Sequence, residues 1–143
     1  MKFFAITTLF AAVASASKLK YDPKYDASAS LSLSVVTCSD GANGFLTKYK
    51  NQVRNTQQLR TKLKPGVYLA AAEAPWNSPK CGLCWKIVGA KSQRSAYFIT
   101  IDNSTPAIVG GQDLFSALSP SKKTVEGTID VWVYQRPASE CYK

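Results

Sequence analysis

Histidine is absent from the 143 residues, methionine occurs once, and acidic side chains number nine. The lack of imidazole weighs against zinc: beyond the close pair Cys81 and Cys84, the two remaining cysteines are isolated. No metal and no other cofactor is expected. Internal repeats and long low-complexity linkers are also missing. After Val13 no apolar run approaches the roughly 20 residues that a membrane helix needs, so no transmembrane segment is expected.

What is present begins with an address label. Met1-Lys2 supplies a positive start, Phe3 to Val13 an apolar stretch, and Ala14-Ser15-Ala16 the small-residue pattern that signal peptidase accepts. That pattern fits an export signal better than a buried N-terminal helix. Residues 1–16 therefore read as a signal peptide, and residues 17–143 as one exported domain of ordinary size.

All four cysteines, Cys38, Cys81, Cys84 and Cys141, fall in that domain. An even number in an exported chain points to disulfides, with more than one pairing open. Cys81-Gly82-Leu83-Cys84 has the spacing of a thioredoxin-type thiol pair. Yet Trp85-Lys86-Ile87-Val88 behind it reads as a strand, and export favours structural bridges. On that reading the two reach out separately, one towards Cys38 and the other towards Cys141.

Eighteen basic residues against nine acidic ones give a net charge of +9. Lys48, Lys50, Arg54, Arg60, Lys62 and Lys64 follow one another with no acid among them. Such a stretch concentrates anionic partners, at a strength that falls with salt. Acidic polysaccharide or an anionic membrane surface suits an exported chain; nucleic acid does not, since no recognised binding motif is present. A merely solvated face is the plainer alternative.

Alternation places strands at Leu31–Thr37, Val67–Ala72, Cys84–Val88, Ala96–Asp102 and Thr128–Tyr134. Helical spacing places short helices at Gly41–Lys50 and Gln112–Leu118, the second stopped before Pro120. Many short strands with brief helices argue for a mainly β fold, a small barrel with helical decoration.

Several blocks then carry a family resemblance. Tyr21-Asp22 with Tyr25-Asp26, the run Cys38-Ser39-Asp40-Gly41-Ala42-Asn43-Gly44, and Trp76-Asn77-Ser78-Pro79 leading into Cys81-Gly82-Leu83-Cys84-Trp85-Lys86 follow in order. Ile101-Asp102, Gly127-Thr128-Ile129-Asp130 and the late Cys141 complete the series. The chain resembles the cerato-platanin family over nearly all of residues 17–143. That resemblance implies a six-stranded double-psi β-barrel with bridges Cys38–Cys81 and Cys84–Cys141, related to expansin and barwin domains and to one class of inverting endoglucanases. It implies a protein of the fungal wall and culture medium that binds chitin or N-acetylglucosamine oligomers in a shallow groove. It further implies loosening of cellulosic material without hydrolysis, and elicitation of plant defence, where a plant receptor is a partner. Asp102 matches the groove carboxylate tied to the expansin-like activity, and Asp40, Asn43 and Asn77 lie in blocks lining the same face.

The residue chemistry agrees with sugar binding, which needs carboxylates, amides and an aromatic platform. Asp40, Asn43, Trp76, Asn77 and Asp102 supply those groups. Plainer roles stand beside them: Asp40 as the cap of a following helix, Asn77 as a turn residue, Trp76 as core, and Trp85 as core outright. Asp130 reads either as a buried hydrogen-bonded acid or as a groove group. Hydrolysis would need an acid and a base about 6.5–9.5 Å apart, and Asp102 with Asp40 or Asp130 is the best available pair. The expectation is a non-enzymatic binder, with a weak inverting glycosidase or a surface-active protein working through its basic stretch as alternatives. Two departures from the family border the expected groove: the basic segment 48–64, and Asn103-Ser104 behind Asp102.

Overall fold

Strand alternation is clearest in the last strand, where buried Val131 and Val133 alternate with exposed Asp130 and Trp132. The computed structural model describes residues 13–143. Its strands are β1 (Ala14–Tyr21), β2 (Val67–Ala72), β3 (Cys84–Gly89), β4 (Ser95–Asn103), β5 (Ile108–Gly110) and β6 (Ile129–Arg136). They close into a barrel in the order β1-β5-β2-β4-β3-β6. β1 and β5 run parallel, as do β2 and β4, and the remaining neighbours are antiparallel. This is the six-stranded double-psi barrel that the family resemblance implied.

Every strand sends an apolar side chain into one cluster: Leu19, Ala70, Ile87, Phe98, Ile108, Val131 and Val133. That set is the barrel interior, and α3 (Gln112–Leu118) adds Leu114, Phe115 and Leu118 to it. β2 and β4 are buried on both faces. Their alternate residues Leu69, Ala71, Ile99 and Ile101 pack outward against Leu33, Val36, Phe45 and Leu59. These come from a 3-10 turn at Leu33–Val35, from α1 (Phe45–Lys48), from α2 (Thr56–Arg60) and from the adjoining coil. Each fully buried Leu, Ile or Phe contributes about 1.5–3 kcal/mol of transfer free energy. Cys38–Cys81 and Cys84–Cys141 are bridged, and Cys38, Cys84 and Cys141 belong to this outer cluster.

Two expected elements take a different form. Leu31–Thr37 is not a strand: Ser32 makes a single bridge to Asn55, and the chain then turns through Leu33–Val35. The Ser32 hydroxyl accepts from the Ser34 amide, so the serines that looked like strand alternation serve as turn caps. The helix expected over Gly41–Lys50 shrinks to Phe45–Lys48. Gly41 has φ +75°, and a Cβ on Gly44 would lie 2.2 Å from the Asp40 carbonyl oxygen. Residues 41–44 are therefore a tight turn, not a first helical turn.

β1, β5 and α2 were not anticipated. Residues 1–12 of the expected signal peptide lie outside the described residues. Its last three, Ala14–Ala16, begin β1 opposite Tyr134, Val133 and Trp132. Among the described residues, no helix is long and apolar enough to cross a membrane.

Candidate functional site

Asp102 stands near the end of β4, just past an irregularity in its pairing with β2. Ala70 opposes Thr100 and Ala71 opposes Asp102, so Ile101 is the extra residue of a bulge. Bulges re-aim side chains, and here the half-buried carboxylate meets three donors. Its Oδ1 accepts from the Thr37 amide at 3.0 Å and the Asn103 amide at 2.9 Å, and its Oδ2 accepts from the Tyr25 hydroxyl at 2.7 Å. Burial, then the hydrogen bond and charge of Asp102, push the Tyr25 phenol far above its usual range, so it remains a donor. A carboxylate offers about four lone-pair positions. Three are used within the protein, and Asp102 is first of all a brace for the loop that begins at Thr37.

That loop carries the other candidates. Thr37 donates through its hydroxyl to the Ala74 carbonyl at 2.7 Å, and the Ala74 amide donates to Asn103 Oδ1 at 3.0 Å. Segments 37–44 and 74–77 are thus fastened together at their base. At their tips the Asn43 amide donates to Asn77 Oδ1 at 3.0 Å, and Asn43 Nδ2 donates to the Asn77 carbonyl at 2.9 Å. Gly41 makes this clamp possible, since a Cβ there would sit 2.7 Å from Asn77 Oδ1. Asn77, with φ 59°, is a turn residue as well as part of the cluster.

Trp76 is not core: it is 61% exposed. Its indole N–H donates to Asp40 Oδ1 at 2.6 Å. That bond, followed by the Ser39 hydroxyl and the Asp40 amide, holds the Asp40 carboxyl below the usual carboxylate range. Asp40 therefore fixes an aromatic side chain in solvent instead of capping a helix; the N-cap position of α1 is Gly44, and no side chain caps it. Trp85, read as core outright, is only partly buried: it packs against the barrel interior, its N–H on Thr100 Oγ1 at 3.1 Å.

Asp130 does not join this site. It is exposed, ion-paired to Lys18 across β1, and lines a depression with Gly89, Pro120 and Glu126 that includes neither Asp102 nor Asp40. The Lys18 ammonium holds its carboxyl below the ordinary range.

Tyr25 and Thr37 are the site residues that sequence reasoning missed. Tyr25 lies in the opening Tyr-Asp block, whose members have distinct structural tasks. Asp22 caps the turn Pro23–Tyr25, Tyr25 holds Asp102, and Asp26 accepts from the Gln112 amide at the start of α3. The two departures behind Asp102 are also employed: Asn103 holds Ala74, while the Ser104 amide donates to the Ala72 carbonyl.

A closed six-stranded β-barrel with an exposed, hydrogen-bonded tryptophan between two clamped loops defines a class of small disulfide-bridged proteins with an open polar-aromatic surface. The sequence model of the family Cerato-platanin matches residues 17–143, and the chain belongs to that family. A "Heat-stable 19 kDa antigen" of Coccidioides immitis (strain RS) is 32% identical over 151 residues, covering 99% of this chain and 98% of that protein. Among solved structures, cerato-platanin 3 from M. perniciosa superposes with a TM-score of 0.73 at 28% identity, covering 87% of this chain and 97% of the other. The solution structure of the fungal elicitor Cerato-Platanin gives 0.68 at 27% identity, covering 85% and 93%.

Proposed function

We propose that this protein is secreted to the fungal cell wall and its surroundings, and there holds chitin or N-acetylglucosamine oligomers without cutting them. The observation that carries the reading is Trp76, an exposed indole fixed by Asp40 between two fastened loops. A ring that is already oriented loses little entropy when a sugar stacks on it. The second oxygen of Asp40, the free Oδ1 of Asn43 in the clamped loop, and the remaining acceptor position of Asp102 at the base of that loop are groups able to meet hydroxyl and acetamido donors. Exchange of polymer contacts for such bonds, each worth about 1 kcal/mol net, loosens packing between chains without breaking a glycosidic bond. Elicitor activity towards a plant fits the same reading, by likeness to the fungal elicitor of this fold.

A glycosidase pairs a general acid of raised pKa with an ionised base. The two partners considered for Asp102 are both held low, Asp40 by the Trp76 indole and Asp130 by the Lys18 ammonium, so neither suits the part of the acid, and Asp130 lines a depression that Asp102 does not share. The test combines retention on insoluble chitin with an assay for released reducing ends. Wild type is retained and releases none, whereas Trp76→Ala is not retained. Sugar release by pure protein, lost in Asp102→Asn, contradicts the proposal.

A further inference from the structure

The basic stretch is acid-free in sequence, but folding divides it. Arg60 leaves the surface: its guanidinium is half-buried, donates to the Tyr25 carbonyl at 3.1 Å, and feels Asp113 and Asp26. Lys48 and Lys62 gather on aromatic rings instead. Lys48 Nζ lies 5.0 Å from the centroid of Tyr142 and 5.7 Å from that of Tyr49, and Lys62 Nζ lies 5.8 Å from Tyr49. The C-terminal segment makes this possible. Leu63 bridges Tyr142, the Lys64 amide donates to the Cys141 carbonyl, and the Lys143 amide donates to the Lys62 carbonyl. Leu63 is buried, and Lys62 and Lys64 on either side of it in the chain are exposed.

None of these three lysines has a carboxylate partner. The ion pairs among the described residues are Lys18–Asp130, Lys24–Asp22, Lys80–Glu73 and Arg136–Glu140, and residues 1–12 contain no acid. Glu140, whose charge reaches Lys64, is already held by Arg136 through two hydrogen bonds of 2.5 and 3.0 Å. The Tyr142 ring is held in place: its hydroxyl donates to the Gly82 carbonyl at 2.6 Å, next to the bridged Cys141.

We propose that the Lys48 and Lys62 ammoniums on the Tyr49 and Tyr142 rings, with exposed Lys64 close by in the chain, form a second binding surface, for a linear acidic polysaccharide built of uronate sugars. Sugar C–H faces pack on aromatic rings, and regularly spaced carboxylates meet ammoniums that lack any carboxylate partner within the protein. A lipid surface suits the cluster less well. Among the described residues the exposed large apolar side chains are Val13, Val35, Trp76, Val125 and Trp132, and none belongs to the cluster. This surface includes the last residue of α1 and does not depend on the Trp76 reading.

Calorimetric titration of the whole protein with a galacturonate oligomer, at low and at raised salt, tests the assignment. Wild type binds, and the affinity falls as salt rises. The variant Lys48→Gln/Lys62→Gln/Lys64→Gln loses about tenfold or more in affinity. Lys91→Gln/Lys122→Gln/Lys123→Gln removes the same net charge elsewhere and stays close to wild type, and Trp76→Ala is unaffected. Lys48→Gln alone, which disturbs the fold least, shows a smaller loss in the same direction. Equal losses in the two triple variants would make the effect one of net charge and overturn the proposal. Binding to phosphatidylserine vesicles with none to the oligomer, or no response to Lys48→Gln, overturns it as well.

Discussion

Replacing Tyr25 with phenylalanine isolates the bond on which the site is built. The ring is 4% exposed and its packing survives the change, so no cavity opens. What is lost is one hydroxyl donor, 2.7 Å from a half-buried carboxylate. Hydrogen bonds to charged groups are worth about 1.5–3 kcal/mol, and Asp102 keeps two backbone donors, which places the expected loss near 2 kcal/mol. Urea denaturation reads this as a lower midpoint at unchanged slope. Asp102→Asn removes the charge that strengthens the same bond. The double variant is therefore less destabilised than the sum of the singles, with a coupling of about 1 kcal/mol or more. Additive effects, or a Tyr25→Phe cost below about 0.5 kcal/mol, would refute the idea that Asp102 acts as a brace held by Tyr25.

Trp76→Ala leaves thermal stability nearly unchanged, because a side chain 61% exposed contributes little burial; a large drop in melting temperature counts against its place in solvent. The bridges Cys38–Cys81 and Cys84–Cys141 close segments 43 and 57 residues apart. Serine in place of either pair costs about 4 kcal/mol, measured by denaturation of the oxidised proteins. Gly44→Ala forces a Cβ against the Asp40 backbone and costs several times more than Gly66→Ala. At Gly66 nothing lies within 4 Å, and only φ +84° is strained, at about 1 kcal/mol. Stability also follows pH in a definite direction. Asp40, Glu126, Asp130 and Glu140 are all held below their ordinary values, so their contribution is complete above about pH 5 and is lost only as pH falls below the usual range near 4. Tyr25 and Tyr142 are raised by burial, so stability declines again above about pH 10; a flat melting curve up to pH 12 excludes that.

Much of this architecture was legible in residue order. β2, β3, β4, β6 and α3 announce themselves by apolar spacing, because each buries one face or both against a single core. β5 did not: Ile108–Gly110 is three residues long, too short to show a period, and it is a strand only because β1 and β2 flank it. β1 was hidden for another reason, since its first three residues read as the end of a signal peptide. The alternation of Leu31–Thr37 misled because serine hydroxyls cap turns as readily as they face water. At the site, residue types were readable but partners were not. Nothing in the order of residues says that Tyr25 donates to Asp102, 77 positions away, or that the Trp76 indole finds Asp40 and not a core. Likewise Arg60 looked like one more surface cation until α2 turned it towards Tyr25.

The decisive measurement is an NMR titration of the protein with a chitin oligomer, followed at the Trp76 indole N–H and the amides of residues 40–44 and 76–77. The account predicts saturable shifts confined to that cluster, unchanged sugar signals over days, and no response in Trp76→Ala. Shifts that bypass the indole and fall only on residues 48–64, or new reducing-end resonances in the sugar, contradict it.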